Sequence, residues 1–211
     1  MIEFFSSALV TFLVIIDPPG AAPIFSILTK GASDAQRRVM AFRSALAGWI
    51  ILLIFGLLGR PILETLGISL ASFQIAGGIL LFYLAFEMIF GQRQERKEDR
   101  AKSHEGGRPE VDDISVFPMA TPMIAGPGAI ASIMLWVSRA DDRLGIALVL
   151  GAMTLVILLT LLAMLVAGPL MRFIGEKMEA AITRILAVIM SALAAQFVID
   201  GIKASFPGVL A

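Results

Sequence analysis

Two proline-glycine knots interrupt runs of this chain that are otherwise apolar enough to cross a bilayer. The first reads Asp17-Pro18-Pro19-Gly20-Ala21-Ala22-Pro23 and the second Thr121-Pro122-Met123-Ile124-Ala125-Gly126-Pro127-Gly128. Proline removes a backbone donor and clashes with the preceding turn, so each knot must unwind or sharply kink its helix. In hydrocarbon the freed carbonyls and amides cost several kcal/mol apiece unless protein or a water-filled cavity satisfies them. Both knots therefore belong inside a bundle. Their recurrence in the two halves of the chain is the pattern of a transport-type binding site.

Composition supports the membrane setting. Of the 211 residues, 58% are hydrophobic and 16% charged, and the mean hydropathy is +0.88. A soluble domain carries about 25% charged residues, and one core cannot bury this much apolar surface. Zero net charge, with no basic field, argues against a nucleic-acid partner. The lack of cysteine excludes disulfides, thiolate metal sites and thiol catalysis. Met1 to Val10 carries Glu3 and no Lys or Arg, unlike the start of a cleavable signal peptide, and reads as the beginning of the first span.

The expected fold is an all-α membrane protein of six transmembrane helices, near 4–28, 41–59, 68–90, 115–138, 144–167 and 182–203. These form two inverted three-helix repeats with Pro/Gly-broken helices 1 and 4. Residues 1–90 make the first repeat, 91–113 a charged linker and 114–211 the second repeat. Pro18 and Pro23 are matched by Pro122 and Pro127, Pro61 and Gly67 by Pro169 and Gly175, Gln74-Ile75 by Arg184-Ile185, and Gly91 by Gly201. Three spans per half, joined by one connection, place the second half upside down. Loop charge agrees. Lys30, Arg37, Arg38 and Arg43, the six basic residues of the linker, and Arg172 and Lys177 all fall on one side. Arg60, Arg139, Arg143 and Lys203 fall on the other, so the linker is expected in the cytoplasm and both termini outside. A competing topology makes each knot the tip of a re-entrant hairpin, and the short apolar stretch Ile114 to Ala120 keeps it open.

The candidate chemistry gathers at the knots. Asp17 lies midway along its span, where a carboxylate must be protonated, paired or facing water. It binds an amine, a proton or a cation, or it simply caps the half-helix beginning at Pro18. Its counterpart Thr121 can cap but cannot ionise. Half-helices beginning after Pro18 and Pro122 aim N–H groups inward, which suits a carboxylate or phosphate, while unwound carbonyls suit a cation or an ammonium. Gly20, Gly126 and Gly128 allow close backbone approach, or merely tight helix contact. Arg184, matched by Gln74, either snorkels to the membrane edge, pairs with Asp17 or grips an anion. Gln74 and Gln196 are intramembrane amides that cross-link helices or bind ligand. Glu87 and Asp200 read as solvated helix-end charges, Gly77-Gly78 as a packing notch, and Trp49, Tyr83 and Trp136 as interface anchors. His104, the only histidine, falls in the linker. No P-loop, G-x-S-x-G or H-E-x-x-H motif occurs, and no nucleophile–base pair can be named, so the chain reads as a non-enzyme without metal or cofactor.

Four segments carry a family resemblance: the early DPPGAAPIF, then GISLASFQIAGGILLFYLAFEMIF, FPMATPMIAGPGAIASI and the closing ITRILAVIMSALAAQFVIDGI. With them the chain resembles the MarC family of bacterial integral membrane proteins, within the broader LysE-type transporter grouping. The resemblance implies a multi-pass inner-membrane protein with two related halves, some of whose relatives are linked to transport of small neutral amino acids. The positions carried over as candidate substrate-binding residues are Asp17, Pro18, Gly20, Pro23, Thr121, Pro122, Gly126, Pro127 and Gly128, with Gln74 and Arg184.

The first functional expectation is a secondary transporter or exporter of small neutral amino acids, with one half moving against the other around a central site. The second is a flippase for an anionic lipid such as a polyprenyl phosphate. The third is a non-transporting scaffold in which the knots are only kinks. The expected partners are a small-molecule substrate, either an amino acid or an anionic lipid, and the membrane lipids themselves. Homo-oligomerisation is left open.

Overall fold

The computed structural model describes residues 1–29, 31–90 and 113–206. The expected linker, apart from Asp113, and with it His104, lies outside the described residues, as do Lys30, the side chains of Pro122, Pro169, Arg172 and Lys177, and the surroundings of Gly175. Among the described residues every regular element is helical: α1 (Ile2–Ile16), α2 (Pro18–Leu28), α3 (Asp34–Thr65), α4 (Leu70–Ile89), a π-wound segment (Ser115–Ile124), α5 (Pro127–Ser138), α6 (Arg143–Leu165) and α7 (Ala167–Ser205). Five stretches are long and apolar enough to cross a membrane: Ile2–Leu28, Asp34–Thr65, Leu70–Ile89, Arg143–Leu165 and Arg184–Ser205. The expected fourth span is not one of them, because its helical part, Pro127–Ser138, is only 12 residues long.

Local chemistry sets the boundaries. At α3, Ser33 Oγ accepts from the Gln36 N–H at 3.3 Å while Gln36 Oε1 accepts from the Ser33 N–H at 2.9 Å, a reciprocal capping box. Ser69 caps α4 and Asp142 caps α6 from one side only, accepting from Ser72 N–H and Gly145 N–H. After α3 the chain turns at Gly67, whose φ of 68° only glycine adopts freely.

Packing separates a core from a lipid-facing shell. Within its apolar window Ile2–Leu28 is 78% buried, against 28% for Asp34–Thr65, so the first broken element is central. On α3 the residues Met40, Ser44, Gly48, Leu52, Gly56, Gly59 and Leu63 are buried, while Val39, Phe42, Leu46, Ile50, Ile54 and Leu57 form an exposed apolar stripe. Such a stripe has no aqueous use and fits hydrocarbon contact.

The second broken element lies along the buried face of α3. Arg43 pairs with Asp113 at 2.8 Å, and methyl groups built on Gly48, Gly56 and Gly59 would sit 2.5 Å from Ile124, 2.9 Å from Ile133 and 2.6 Å from Met134. The partners advance together, so residues 113–134 run parallel to α3 over about 24 Å of its length. The helices α4 and α7 meet backbone to backbone: a methyl on Gly78 would lie 2.8 Å from the Ala194 carbonyl oxygen, and one on Gly201 would lie 3.0 Å from that of Ala71.

At the start of this second element Asp113 accepts from the Ser115 hydroxyl, the Ser115 N–H at 3.0 Å and Arg43. The two serine hydrogen bonds, aided by the Arg43 guanidinium, hold its carboxyl below the usual carboxylate range. A carboxylate with a lowered folded pKa stabilises above its unfolded value of about 3.9 and loses that contribution as pH falls through the folded value. Asp113→Ala is therefore expected to lower the melting temperature slightly at pH 7, less so in high salt because both partners are more than half exposed. The difference from wild type should vanish on acidification, which thermal melts across the acid range will read.

Candidate functional site at the two helix breaks

The first break is sharp because its chemistry allows nothing else. Asp17 N–H still donates to Leu13 O at 3.1 Å, closing α1, but the residue itself turns left-handed with φ 57° and ψ 65°. Aspartate tolerates that region better than most side chains. Pro18 and Pro19 have no N–H, and the Gly20 N–H donates instead to Asp17 Oδ1 at 3.1 Å. The carbonyls of Val14, Ile15 and Ile16 thereby lose the donors a continuous helix would give them. Gly20 is needed here, since a methyl group on it would sit 2.1 Å from Asp17 Oδ2. Asp17 is only 2% exposed, and Pro18, Gly20 and Pro23 are buried with it. The expected cap is thus present, and around it stands a set of oxygens that can only accept. Such a set suits an ammonium group or a cation.

The second break is spread over ten residues. Phe117 and Thr121 have extended backbone, φ near −130° at both, and each precedes a proline. Proline at the next position excludes the helical region for the residue before it. Phe117–Pro118 is a cis peptide bond. Around each of them the backbone winds with an i to i−5 hydrogen bond, Met119 N–H to Ile114 O about Phe117 and Ala125 N–H to Ala120 O about Thr121. The half-helix α5 starts at Pro127 rather than Pro122, and its N-cap is Gly126, which brings no side-chain hydrogen bond. Thr121 is exposed and does not cap it. Gly126 and Gly128 are buried, whereas Pro127 is exposed. The first amides of α5 have no side-chain acceptor, so this end offers donors and a positive dipole. It suits an anion.

The two breaks come together. A methyl group on Gly128 would be 3.5 Å from Ile15 and 2.9 Å from Leu81 and Leu84 of α4. Phe4 meets Trp136 edge to face with ring centroids 5.2 Å apart, so α1 runs antiparallel to α5 and its broken end lies at the uncapped start of α5.

Comparison with known proteins agrees with the membrane setting. Residues 2–206 match the family model described as MarC family integral membrane protein. The chain belongs to the MarC family. This MarC chain is 37% identical over 202 residues to a UPF0056 membrane protein of Archaeoglobus fulgidus, covering 95% of itself and 93% of that relative. It is 35% identical over 199 residues to the UPF0056 membrane protein YhcE of Escherichia coli, covering 93% and 90% of the two chains. It is 32% identical over 201 residues to the UPF0056 inner membrane protein YhgN of the same organism, covering 93% and 95%. None of these names is enzymatic, and none names a solute. No solved structure matches the chain.

Other candidates of this MarC protein fall away from the breaks or change character. Arg184 is exposed on α7 and makes no ion pair with Asp17 among the described residues. Gln74 is 7% exposed, on the face of α4 that also carries Gly77 and Leu81. Gln196 reaches no other helix; its Nε2 donates to Asp200 one turn on, at 2.7 Å. Asp200 is not a free helix-end charge, since Arg139 binds it at 2.6 Å while lying over the rings of Trp136 and Phe197. Glu87 is buried, at 5% exposure, where a solvated end was expected. Trp136 is buried too, so it is no interface anchor, whereas Tyr83 is half exposed and Trp49 donates to Thr154 Oγ1 at 2.9 Å. Residue type alone could not reveal these partners, because each depends on which helices become neighbours.

Proposed function

We propose that this MarC protein is a secondary transporter of small neutral amino acids, whose central site lies where the two breaks meet. The observation that carries the reading is the opposite chemistry of those breaks: the first ends in Asp17 and three carbonyls deprived of their helical donors, the second in amides without a side-chain cap. An α-amino acid presents the complementary pair, an ammonium and a carboxylate. Asp17 takes the ammonium or a coupling cation, and the start of α5 takes the carboxylate. The segment from Ser115 to Ser138 counts as the sixth crossing, and the second half lies inverted against the first. The antiparallel α1–α5 and α4–α7 pairs support that arrangement. Loop charge supports a cytoplasmic linker with both termini outside.

One feature favours the lipid reading. A groove of about 450 Å³ between α3 and α6, lined by Arg38, Val39, Phe42, Arg43, Leu161 and Leu165, could seat an acyl chain beneath a phosphate. It contains no residue of either break, so it leaves their paired chemistry without a purpose, and the amino-acid reading stands first. Purified protein in proteoliposomes is expected to carry labelled alanine, with a rate that responds to an imposed proton or sodium gradient. Absence of flux for every small neutral amino acid, in vesicles shown to hold folded protein, overturns the proposal.

A further inference from the structure

Three buried side-chain polar atoms have no hydrogen-bond partner among the described residues: Gln74 Nε2, Ser132 Oγ and Trp136 Nε1. Their residues are 7%, 0% and 6% exposed. Leaving such groups unpaired costs about 1–3 kcal/mol each, so three in one protein point to a purpose.

Their positions coincide. Gly77 of α4 faces Ala131 and Leu135, while Gly128 faces Leu81 and Leu84, which fixes an antiparallel register between α4 and α5. That register sets Gln74 level with Trp136. Gly128, Ser132 and Trp136 follow one another at four-residue spacing, so they share a stripe of α5 that borders α1 and α4. Ser132 stands about 6 Å and Trp136 about 12 Å along the helix axis from Gly128, leading away from the breaks. All three atoms donate, and the amide and the indole nitrogen can do nothing else. No carboxylate borders them in the contacts that define this stripe; the Arg139–Asp200 ion pair lies beyond Trp136, with Asp200 taken up by Arg139 and Gln196.

We infer that Gln74, Ser132 and Trp136 form a second site for a small carboxylate, which their unpaired donors would hold, one to two helical turns from the breaks. For the identity of the solute this rests on the transport reading above; capture of a carboxylate by the three unpaired donors does not. Asp17 would hold the ammonium of a solute at the breaks, and this outer site would receive its carboxylate on entry or departure.

Trp136 is its own reporter. In Trp49→Phe protein, which has no other tryptophan, indole emission is titrated with propionate, alanine and alaninamide in detergent. Propionate and alanine are expected to shift the emission saturably, and alaninamide, which lacks the carboxylate, to leave it unchanged. Ser132→Ala and Gln74→Leu should each weaken propionate binding roughly tenfold, without loss of the thermal unfolding transition. Saturable propionate binding in a protein that carries no amino acid would sustain the site while refuting the transport reading. Alanine flux with no propionate response, or a response untouched by both substitutions in folded protein, overturns the site.

Discussion

Gly78→Val is expected to abolish the folded protein or to lower its melting temperature by roughly 10 °C in detergent. A methyl group at this position would lie 2.8 Å from the Ala194 carbonyl oxygen, 3.0 Å from the Val198 amide nitrogen and 2.7 Å from the Val198 side chain. Two of those neighbours are backbone, so no rotamer change relieves the clash, and α4 and α7 must move apart. Overpacking of a close-packed interior costs about 1–3 kcal/mol and occasionally more. With roughly 2–4 °C per kcal/mol for a chain of this size, the upper end of that range gives the stated shift. Gly201→Val should behave alike, since its methyl would meet Ala71 O at 3.0 Å and Ile75 N at 3.1 Å. Gly151→Val on α6, where nothing lies within 4 Å, is the control and should leave the melt unchanged. A Gly78→Val protein as stable as the control would show that the close crossing is not needed.

Asp17→Asn is expected to reduce alanine flux by about 10- to 100-fold while leaving the fold intact. Asparagine caps helices as well as aspartate and tolerates left-handed backbone, so the bond to the Gly20 N–H and the φ of 57° both survive. What disappears is the carboxyl group and its capacity to ionise. Hydrogen bonds to charged groups contribute about 1.5–3 kcal/mol, and each 1.4 kcal/mol is a factor of ten. Asp17→Ala removes the cap as well, and should cost a further ~1 kcal/mol of stability. Flux and melting temperature measured on both variants separate the two roles. Wild-type flux in Asp17→Asn would reduce the residue to a structural cap.

The sequence makes the first break plain and blurs the second, for one physical reason. Asp-Pro-Pro-Gly leaves two consecutive residues without N–H groups and one side chain able to cap, so both the position and the cap can be read directly. The second break was expected to start a helix at Pro122 under a Thr121 cap. The chain instead holds Phe117 and Thr121 extended and begins the helix at Pro127. The signal lies in Pro118, Pro122 and Pro127, each of which restricts the residue before it, and Pro118 places the start of the break earlier than the Thr-Pro pair alone suggests. The burial of Glu87 and of Trp136, the Arg139–Asp200 pair and the three unpaired donors were beyond reach. Helical periodicity tells which face of a segment is turned inward. It does not tell which other segment fills the space opposite, and all of these features arise there.

The close crossing of α4 and α7 also limits how the protein can move. The first of these helices comes from the opening half of the chain and the second from the closing half, and their backbones touch through Gly78 and Gly201. The glycines of α3 are filled in the same way by Ile124, Ile133 and Met134 of the other half. The two halves are therefore laced through each other rather than stacked side by side. A swing of one half as a rigid block would have to tear open the tightest seams in the molecule. On the transport reading proposed above, the moving units would then be mixed pairs, with α4 and α7 carried as a single strut while the broken elements shift beside it.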